Sequence, residues 1–198
     1  MADAVVTMEL QRGVVGDLAS MRELADEVGR RGILGAAGRL VAGARDAGVP
    51  VVHCIVEQRP DGAGSVANTP LFAMLGRKGR QLVPGAPAAE LVPELAVEES
   101  DIVERRRHGI LPFGQTTLDA TLRNLGVTTI VVAGVSVNLG IIGTCIEAVN
   151  HGYRALVATD AVAGIPADYA EAVLANSIAY VATLTTVDAV LAGWAAGT

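Results

Sequence analysis

Two stretches of the chain place charged residues where a predicted strand ends, and such groups can bind or protonate a small molecule. Glu9 follows the apolar run of residues 4–8, where a carboxyl group can act as a general acid or base. Arg107 and His108 follow a second run, residues 101–105. Arginine can hold a carboxylate through two parallel hydrogen bonds, and histidine titrates near neutrality. The alternatives are a structural ion pair between Glu9 and Arg107, and a solvent-exposed loop position for His108.

A third stretch, residues 127–160, predicts a strand, a turn, a helix and a further strand. Its first run is β-branched and uncharged, which is typical of a strand buried on both faces of a parallel sheet. We expect Gly134 to end this strand and Asn138 to cap the helix. The apolar stripe of that helix is Ile141, Ile142, Cys145, Ile146 and Val149. Ligands bind where the carboxyl end of such a strand faces a helix N-terminus, so the turn at residues 134–140 is a candidate site.

Strands and helices alternate along the whole chain, which predicts an α/β fold with a mostly parallel sheet and helices on both faces. Strands are predicted at residues 4–8, 51–57, 101–105, 128–133, 153–158 and 183–187. One helix is predicted before residue 48, with an apolar face of Leu34, Ala37, Val41 and Ala44. Residues 58–98 form a long irregular connection, and a connection of this length is usually functional or a lid.

Composition limits the classes of function. A length of 198 residues favours a single domain, residues 1–198. The net charge of −6, the absence of a basic block and an aromatic content of 3% argue against nucleic acid. No apolar run reaches the roughly 18 residues of a membrane span. Two cysteines without a signal peptide predict a cytoplasmic protein. A 51% apolar content predicts a homo-oligomer, a dimer or larger, with a small-molecule substrate.

Three motifs resemble the isochorismatase-like hydrolase superfamily, which includes nicotinamidases and other cysteine amidohydrolases. They are MELQRGV at residues 8–14, RHGILPFGQTTL at residues 107–118, and GVSVNLG at residues 134–140 followed by a helix, Gly-Tyr, a strand and Asp-Ala. The resemblance implies a doubly wound Rossmann-type sheet of six strands in the order 3-2-1-4-5-6. It also implies a catalytic acid, a lysine and a nucleophilic cysteine. Here Glu9, Arg107 and Gly140 stand at those three positions.

These substitutions change the chemistry that the resemblance implies. Arginine stays protonated and cannot shuttle a proton as lysine can. Glycine at 140 removes the thiolate, although the isochorismatase branch also commonly has glycine there and needs no nucleophile. In that branch a carboxylic acid protonates a vinyl ether and water traps the oxocarbenium ion, and Glu9 could be that acid. Ser136 is a poor nucleophile because only Glu9 could act as its base. Candidate substrate-binding residues in and beside these motifs are Gln11, His108, Phe113, Ser136 and Asn138.

The two cysteines and a possible metal site have simpler interpretations. Cys145 falls on the apolar stripe of its helix and is predicted to be buried and unreactive. Cys54 and His53 are neighbours in a strand, so their side chains point to opposite faces and form no dyad. His53 and Glu57 are four residues apart and share a face, which together with Asp61 could suggest a metal site. The Asp-x-His pattern that nicotinamidases have after the second strand is missing, however, and spacing without that motif is weak evidence. We therefore expect no metal and no cofactor.

Three hypotheses of function follow from these observations. The first is a cysteine-independent hydrolase of a small carboxylate-bearing metabolite, a vinyl ether or an amide, with Glu9 as the acid or base. The second is a degenerate relative that binds a metabolite or a partner without turnover, because all three catalytic positions are substituted. The third is an amidohydrolase in which Glu9 activates a water molecule as a general base.

Overall fold

The computed structural model describes residues 2–77, 79 and 81–197. Six parallel strands form one sheet in the order β3-β2-β1-β4-β5-β6, which confirms the predicted fold class and strand order. The strands are β1 (Asp3–Met8), β2 (Val51–Val56), β3 (Ile102–Arg106), β4 (Thr129–Val135), β5 (Arg154–Ala163) and β6 (Thr183–Thr185). Strand order reverses beside β1, so the carboxyl ends of β1 and β4 border the crevice where ligands bind in such sheets.

Seven α-helices lie between the strands or after the last one within the described residues. They are α1 (Arg22–Arg31), α2 (Ile33–Asp46), α3 (Pro70–Arg77), α4 (Leu118–Asn124), α5 (Ile142–Asn150), α6 (Ala167–Asn176) and α7 (Val187–Gly197). The prediction of one helix before β2 was wrong. Gly32 adopts a left-handed φ of 67° and divides the segment into α1 and α2. Residues without a side chain adopt this conformation at little cost, so the sequence turns sharply there.

The core lies on both faces of the sheet. Helices α4, α5 and α6 pack on one face, against Ala4, Val6 and Met8 of β1. Helices α1, α2 and α7 pack on the other face, against Val5. This two-sided burial explains why β4 is a continuous apolar run and not an alternating one.

Gly134 lies inside β4 and does not end it, contrary to the prediction. Its φ is 113°, and a Cβ there would lie only 2.2 Å from the carbonyl oxygen of Met8. The register between β4 and β5 shifts at the same point. Glycine therefore allows the ends of β1 and β4 to approach closely, immediately before the turn that carries Ser136.

The indole of Trp194 forms a hydrogen bond within the chain. Its Nε1 donates to Asp3 Oδ2 at 2.8 Å, which ties α7 to the start of β1. None of the helices in the described ranges has both the length and the apolar character that crossing a membrane requires.

Candidate active site

The carboxylate of Glu9 is fixed where β1 ends. Glu9 has a left-handed φ of 54°, which costs a non-glycine residue about 1 kcal/mol, and non-glycine residues in such strained conformations cluster at functional sites. Its backbone N–H donates to the carbonyl of Cys54 at 2.9 Å. Its side chain accepts a hydrogen bond from Nη2 of Arg106, at the end of β3. The first and third strands thus meet through an ion pair at the carboxyl edge of the sheet.

Arg106, rather than Arg107, is the cation that contacts Glu9. Arg106 is only 3% exposed, and its Nε donates to the carbonyl of Gly109 at 3.0 Å. The predicted β3 ended one residue too early. The strand continues through Arg106, so alternation turns Glu104 and Arg106 inward and leaves Arg107 exposed. The ion pair that was considered as an alternative for Glu9 and Arg107 forms instead between Glu9 and Arg106.

The side chain of Glu104 holds β3 in place through hydrogen bonds. This buried carboxylate accepts hydrogen bonds from Thr117 Oγ1 and Thr121 Oγ1, both at 2.9 Å, and from the backbone N–H of Thr117 at 3.1 Å. These bonds join β3 to the start of α4. They fix the strand whose last residue, Arg106, reaches Glu9.

The turn after β4 is held by a short chain of side-chain hydrogen bonds. A π-helical turn, Val137–Ile141, leads from β4 into α5. The hydroxyl of Ser136 donates to Asn138 Oδ1, and Asn138 Nδ2 donates to the carbonyl of Ile165 at 3.3 Å. Asn138 was predicted to cap the helix, but it lies inside the first turn and ties it to the loop after β5. Since the hydroxyl proton of Ser136 already has an acceptor, Ser136 is poorly placed to act as a nucleophile.

Gly140 is buried in this turn and lines a cavity. A Cβ at this position would lie 3.1 Å from the carbonyl oxygen of Val135 and 3.5 Å from Met8 Cε. Even the smallest side chain would therefore need its neighbours to move by a few tenths of an ångström. Glycine at 140 therefore lets the turn pack closely against the end of β4, while its backbone lines the cavity.

One cavity of about 510 Å³ collects most of the predicted site residues. This active-site cavity is within the size range of small-molecule sites. Its polar wall contains Glu9, Arg106, Arg107, His108, Ser136, Asn138 and Gly140. Its apolar wall includes Val66, Leu71, Phe72, Leu75 and Leu82, all from the long connection after β2. The sequence did not single out these apolar residues or Arg106; the buried alternation at the end of β3 was the available signal for Arg106.

Gln11 and Phe113 do not line this cavity. Gln11 is completely buried, and its amide donates to the carbonyls of Val56 and Ala89, both at 2.9 Å. Its Oε1 accepts from the backbone N–H of Val56 at 2.8 Å, so the side chain anchors the connection after β2. Phe113 is 5% exposed and stacks on His151 with ring centroids 5.1 Å apart. Both predicted substrate contacts are occupied within the fold.

Neither cysteine lies at the site. Cys145 is buried in α5 as predicted, and burial raises the pKa of its thiol to about 12. Burial, assisted by the negative charge of Glu104, also raises the pKa of Cys54 well above the usual range. Thiols in such surroundings stay protonated and are inert as nucleophiles.

Across residues 2–77, 79 and 81–197, no group of three histidine, cysteine, aspartate or glutamate side chains is arranged to hold a metal ion. His53, the histidine weighed as a ligand, contacts Thr7 Oγ1 at 2.8 Å and Asp101 Oδ2 at 3.3 Å. Both ring nitrogens therefore have partners inside the protein.

Comparisons with known proteins agree with this architecture. The family model described as Isochorismatase domain matches residues 3–189. The uncharacterized isochorismatase family protein YwoC of Bacillus subtilis is 38% identical over 86 residues, covering 43% of this chain and 45% of the relative. Maleamate amidohydrolase of Pseudomonas putida is 32% identical over 140 residues, covering 69% of this chain and 62% of the relative. These alignments span less than two thirds of either relative.

A solved structure extends the likeness over nearly the whole chain. N-carbamoylsarcosine amidase from Thermoplasma acidophilum superposes with a TM-score of 0.75 at 25% identity, covering 95% of this chain and 98% of the amidase.

Proposed function

The chain belongs to the isochorismatase family, and on that premise we propose that it hydrolyses a small carboxylate-bearing metabolite without a catalytic cysteine, using Glu9 as the acid–base group. One observation carries the proposal: the Glu9 carboxylate, ion-paired to Arg106, lies on the same cavity wall as the Gly140 turn. Related hydrolases bear the names maleamate amidohydrolase and N-carbamoylsarcosine amidase, which favours a C–N bond over a vinyl ether.

Each charged group on the wall has a distinct role in this proposal. Arg106 holds the Glu9 carboxylate in one orientation, because its guanidinium is itself fixed by the carbonyl of Gly109. Arg107 is exposed in the cavity and binds the substrate carboxylate through its two-pronged end. The attacking water occupies the cavity that Glu9 and the Gly140 turn both line.

In the proposed hydrolysis of an amide, Glu9 carries one proton from water to the leaving nitrogen. Glu9 accepts a proton from water while the water oxygen bonds to the carbonyl carbon, which forms a tetrahedral intermediate. Glu9 then returns that proton to the nitrogen as the C–N bond breaks. The products are a carboxylic acid and an amine. Hydrogen-bond donors of the turn at residues 136–140 would face the developing oxyanion.

A second function is favoured by the substitution of all three positions at which the family resemblance places catalytic residues. In this alternative the cavity binds a carboxylate metabolite and does not convert it. The two functions differ only in turnover, because both use the cavity and Arg107.

Product analysis separates the two functions. The wild type is incubated in ¹⁸O-labelled water with monoamides of dicarboxylic acids, N-carbamoyl amino acids and enol-ether carboxylates, and products are identified by mass spectrometry. The proposal expects a product with one ¹⁸O atom and a protein of unchanged intact mass. A saturable thermal shift without any product across the panel would establish the binding function instead.

We also propose that the chain assembles with copies of itself. Three apolar residues around α5 support this: Leu139, Ile146 and Val149 are 44%, 44% and 45% exposed. Light scattering after gel filtration should give at least twice the monomer mass of 20.2 kDa, and a monomer at tens of micromolar would contradict the proposal.

A further inference from the structure

A second cavity of about 490 Å³ adjoins the active-site cavity. Val66 and Phe72 of the long connection, together with residues 108–110 after β3, line both cavities. A ligand that fills the first cavity can therefore extend past His108 into the second. The remaining lining includes four polar residues, Asn68, Thr69, Gln115 and Glu147.

Glu147 is the charged group of this second cavity that lacks a counterpart. Its Oε2 is buried and has no hydrogen-bond partner among the described residues. Burial raises the pKa of Glu147, opposed by the backbone N–H of Phe113 and by the charges of His151 and Arg106. None of these neighbours forms a salt bridge with it within the described part of the chain.

The two basic residues whose charges act on Glu147 both contact other groups. His151, four residues after Glu147 and immediately beyond the end of α5, contacts Asp119 Oδ1 at 3.4 Å and stacks on Phe113. Arg106 donates to Glu9 through Nη2 and to the carbonyl of Gly109 through Nε, whereas its Nη1 has no hydrogen-bond partner among the described residues. Leaving a buried polar group without a partner costs free energy, and such groups in native proteins call for an explanation.

We propose that the second cavity is a subsite for the far end of the substrate, where Glu147 accepts hydrogen bonds from an ammonium or another N–H-bearing group. This inference rests on the proposed function and narrows its substrate class. The substrate would carry a carboxylate near Arg107 and a hydrogen-bond-donating group at its opposite end. A bound donor would offset the cost of the unpartnered carboxyl oxygen.

Three linear probes test the two ends of the ligand separately. Isothermal titration calorimetry measures the binding of hexanoate, n-hexylammonium and 6-aminohexanoate to the wild type and to Glu147→Gln. Glu147→Asp is a second variant that keeps the charge, and Glu99→Gln is a control at an exposed turn residue. Far-ultraviolet circular dichroism establishes that each variant is folded.

If the subsite exists, Glu147→Gln should weaken the binding of n-hexylammonium and of 6-aminohexanoate by about tenfold, as expected for the loss of a charge-assisted hydrogen bond. Hexanoate should bind equally well to Glu147→Gln and the wild type, and Glu99→Gln should change nothing. Glu147→Asp should retain part of the ammonium affinity.

Failure of the subsite and failure of the proposed function give different results. If n-hexylammonium does not bind, or binds equally to Glu147→Gln, the subsite is refuted while hexanoate binding still supports the carboxylate end. If hexanoate does not bind but n-hexylammonium binds in a Glu147-dependent way, the subsite is supported and the carboxylate anchor of the proposed function is refuted.

Discussion

Arg106 donates a hydrogen bond to the carboxylate of Glu9, although the two residues are 97 positions apart in the sequence. The contact joins the carboxyl ends of β1 and β3 across β2. It separates the two neighbouring arginines into different roles, because Arg106 is buried against Glu9 while Arg107 is exposed in the cavity.

This difference predicts different kinetics for two matched variants. Arg106→Met should lower kcat by about a hundredfold with little change in KM, because Glu9 loses the group that orients it. Arg107→Met should raise KM by about tenfold or more with little change in kcat, because it removes a charge-assisted contact to the substrate. Steady-state kinetics on the best substrate of the panel would measure both values. Equal effects of the two substitutions would contradict the separate roles.

The two cysteines should be unreactive towards alkylating reagents in the native protein. With a pKa of about 12, about one Cys145 thiol in ten thousand is ionised at pH 8. Iodoacetamide should therefore leave the intact mass and the turnover unchanged under native conditions. In urea it should add two adducts, one for each free cysteine. Rapid alkylation with loss of turnover in the native state would identify a catalytic thiol and contradict the proposed chemistry.

Gly134 should be essential for stability. Gly134→Ala would place a methyl group 2.2 Å from the carbonyl oxygen of Met8 at a φ of 113°, so the β1–β4 contact must open. We expect a loss of about 3 kcal/mol in the free energy of unfolding. Gly29→Ala in α1 is the matched control, because a Cβ there meets nothing within 4 Å. The control should stabilise the protein by about 0.5–1 kcal/mol. Urea denaturation measures both changes, and equal effects would argue against the close approach of β1 and β4.

His53 should make stability depend on pH. Burial lowers the pKa of this imidazole below its ordinary value of 6.5, although the nearby Asp101 carboxylate opposes the shift. The unfolded chain therefore binds a proton at a pH where the folded chain does not, and stability falls as pH drops below 6.5. The contribution is fully present above that pH.

A difference measurement isolates this contribution. The free energies of unfolding of the wild type and His53→Gln are compared between pH 5 and pH 8. The wild type should lose more stability than His53→Gln towards the acid end. Parallel curves would show that His53 is not the titrating group.

The sequence was most informative about the sheet. The β-branched runs and their alternation with helices predicted six strands, and the family resemblance supplied their order. Five strands lie close to their predicted positions, whereas β5 continues five residues beyond the predicted end at residue 158. Positions set by backbone geometry were harder to predict. Gly32 divides a helix and Gly134 continues a strand, and the sequence shows only a glycine in both cases. What distinguishes them is the neighbouring chain, Met8 in the case of Gly134.

The sequence located the segments that form the site, but it identified the individual residues less well. Glu9, His108 and Gly140 line one cavity because they follow strands that end at the same edge of the sheet. Arg106 was missed because a strand end cannot be located to within one residue, and one residue decides which arginine faces inward. Gln11 was taken as a substrate contact because its motif is near the site, yet its partners, Val56 and Ala89, lie far along the chain.

The most direct test of the account is the kcat of Glu9→Gln on the substrate with the highest turnover in the panel, with Glu99→Gln as the control at an exposed glutamate. The isosteric amide keeps the shape of the side chain but cannot exchange a proton with water. We predict a loss in kcat of about a thousandfold for Glu9→Gln and none for the control. A kcat within fivefold of the wild type, in folded Glu9→Gln protein, would show that hydrolysis does not depend on this carboxylate.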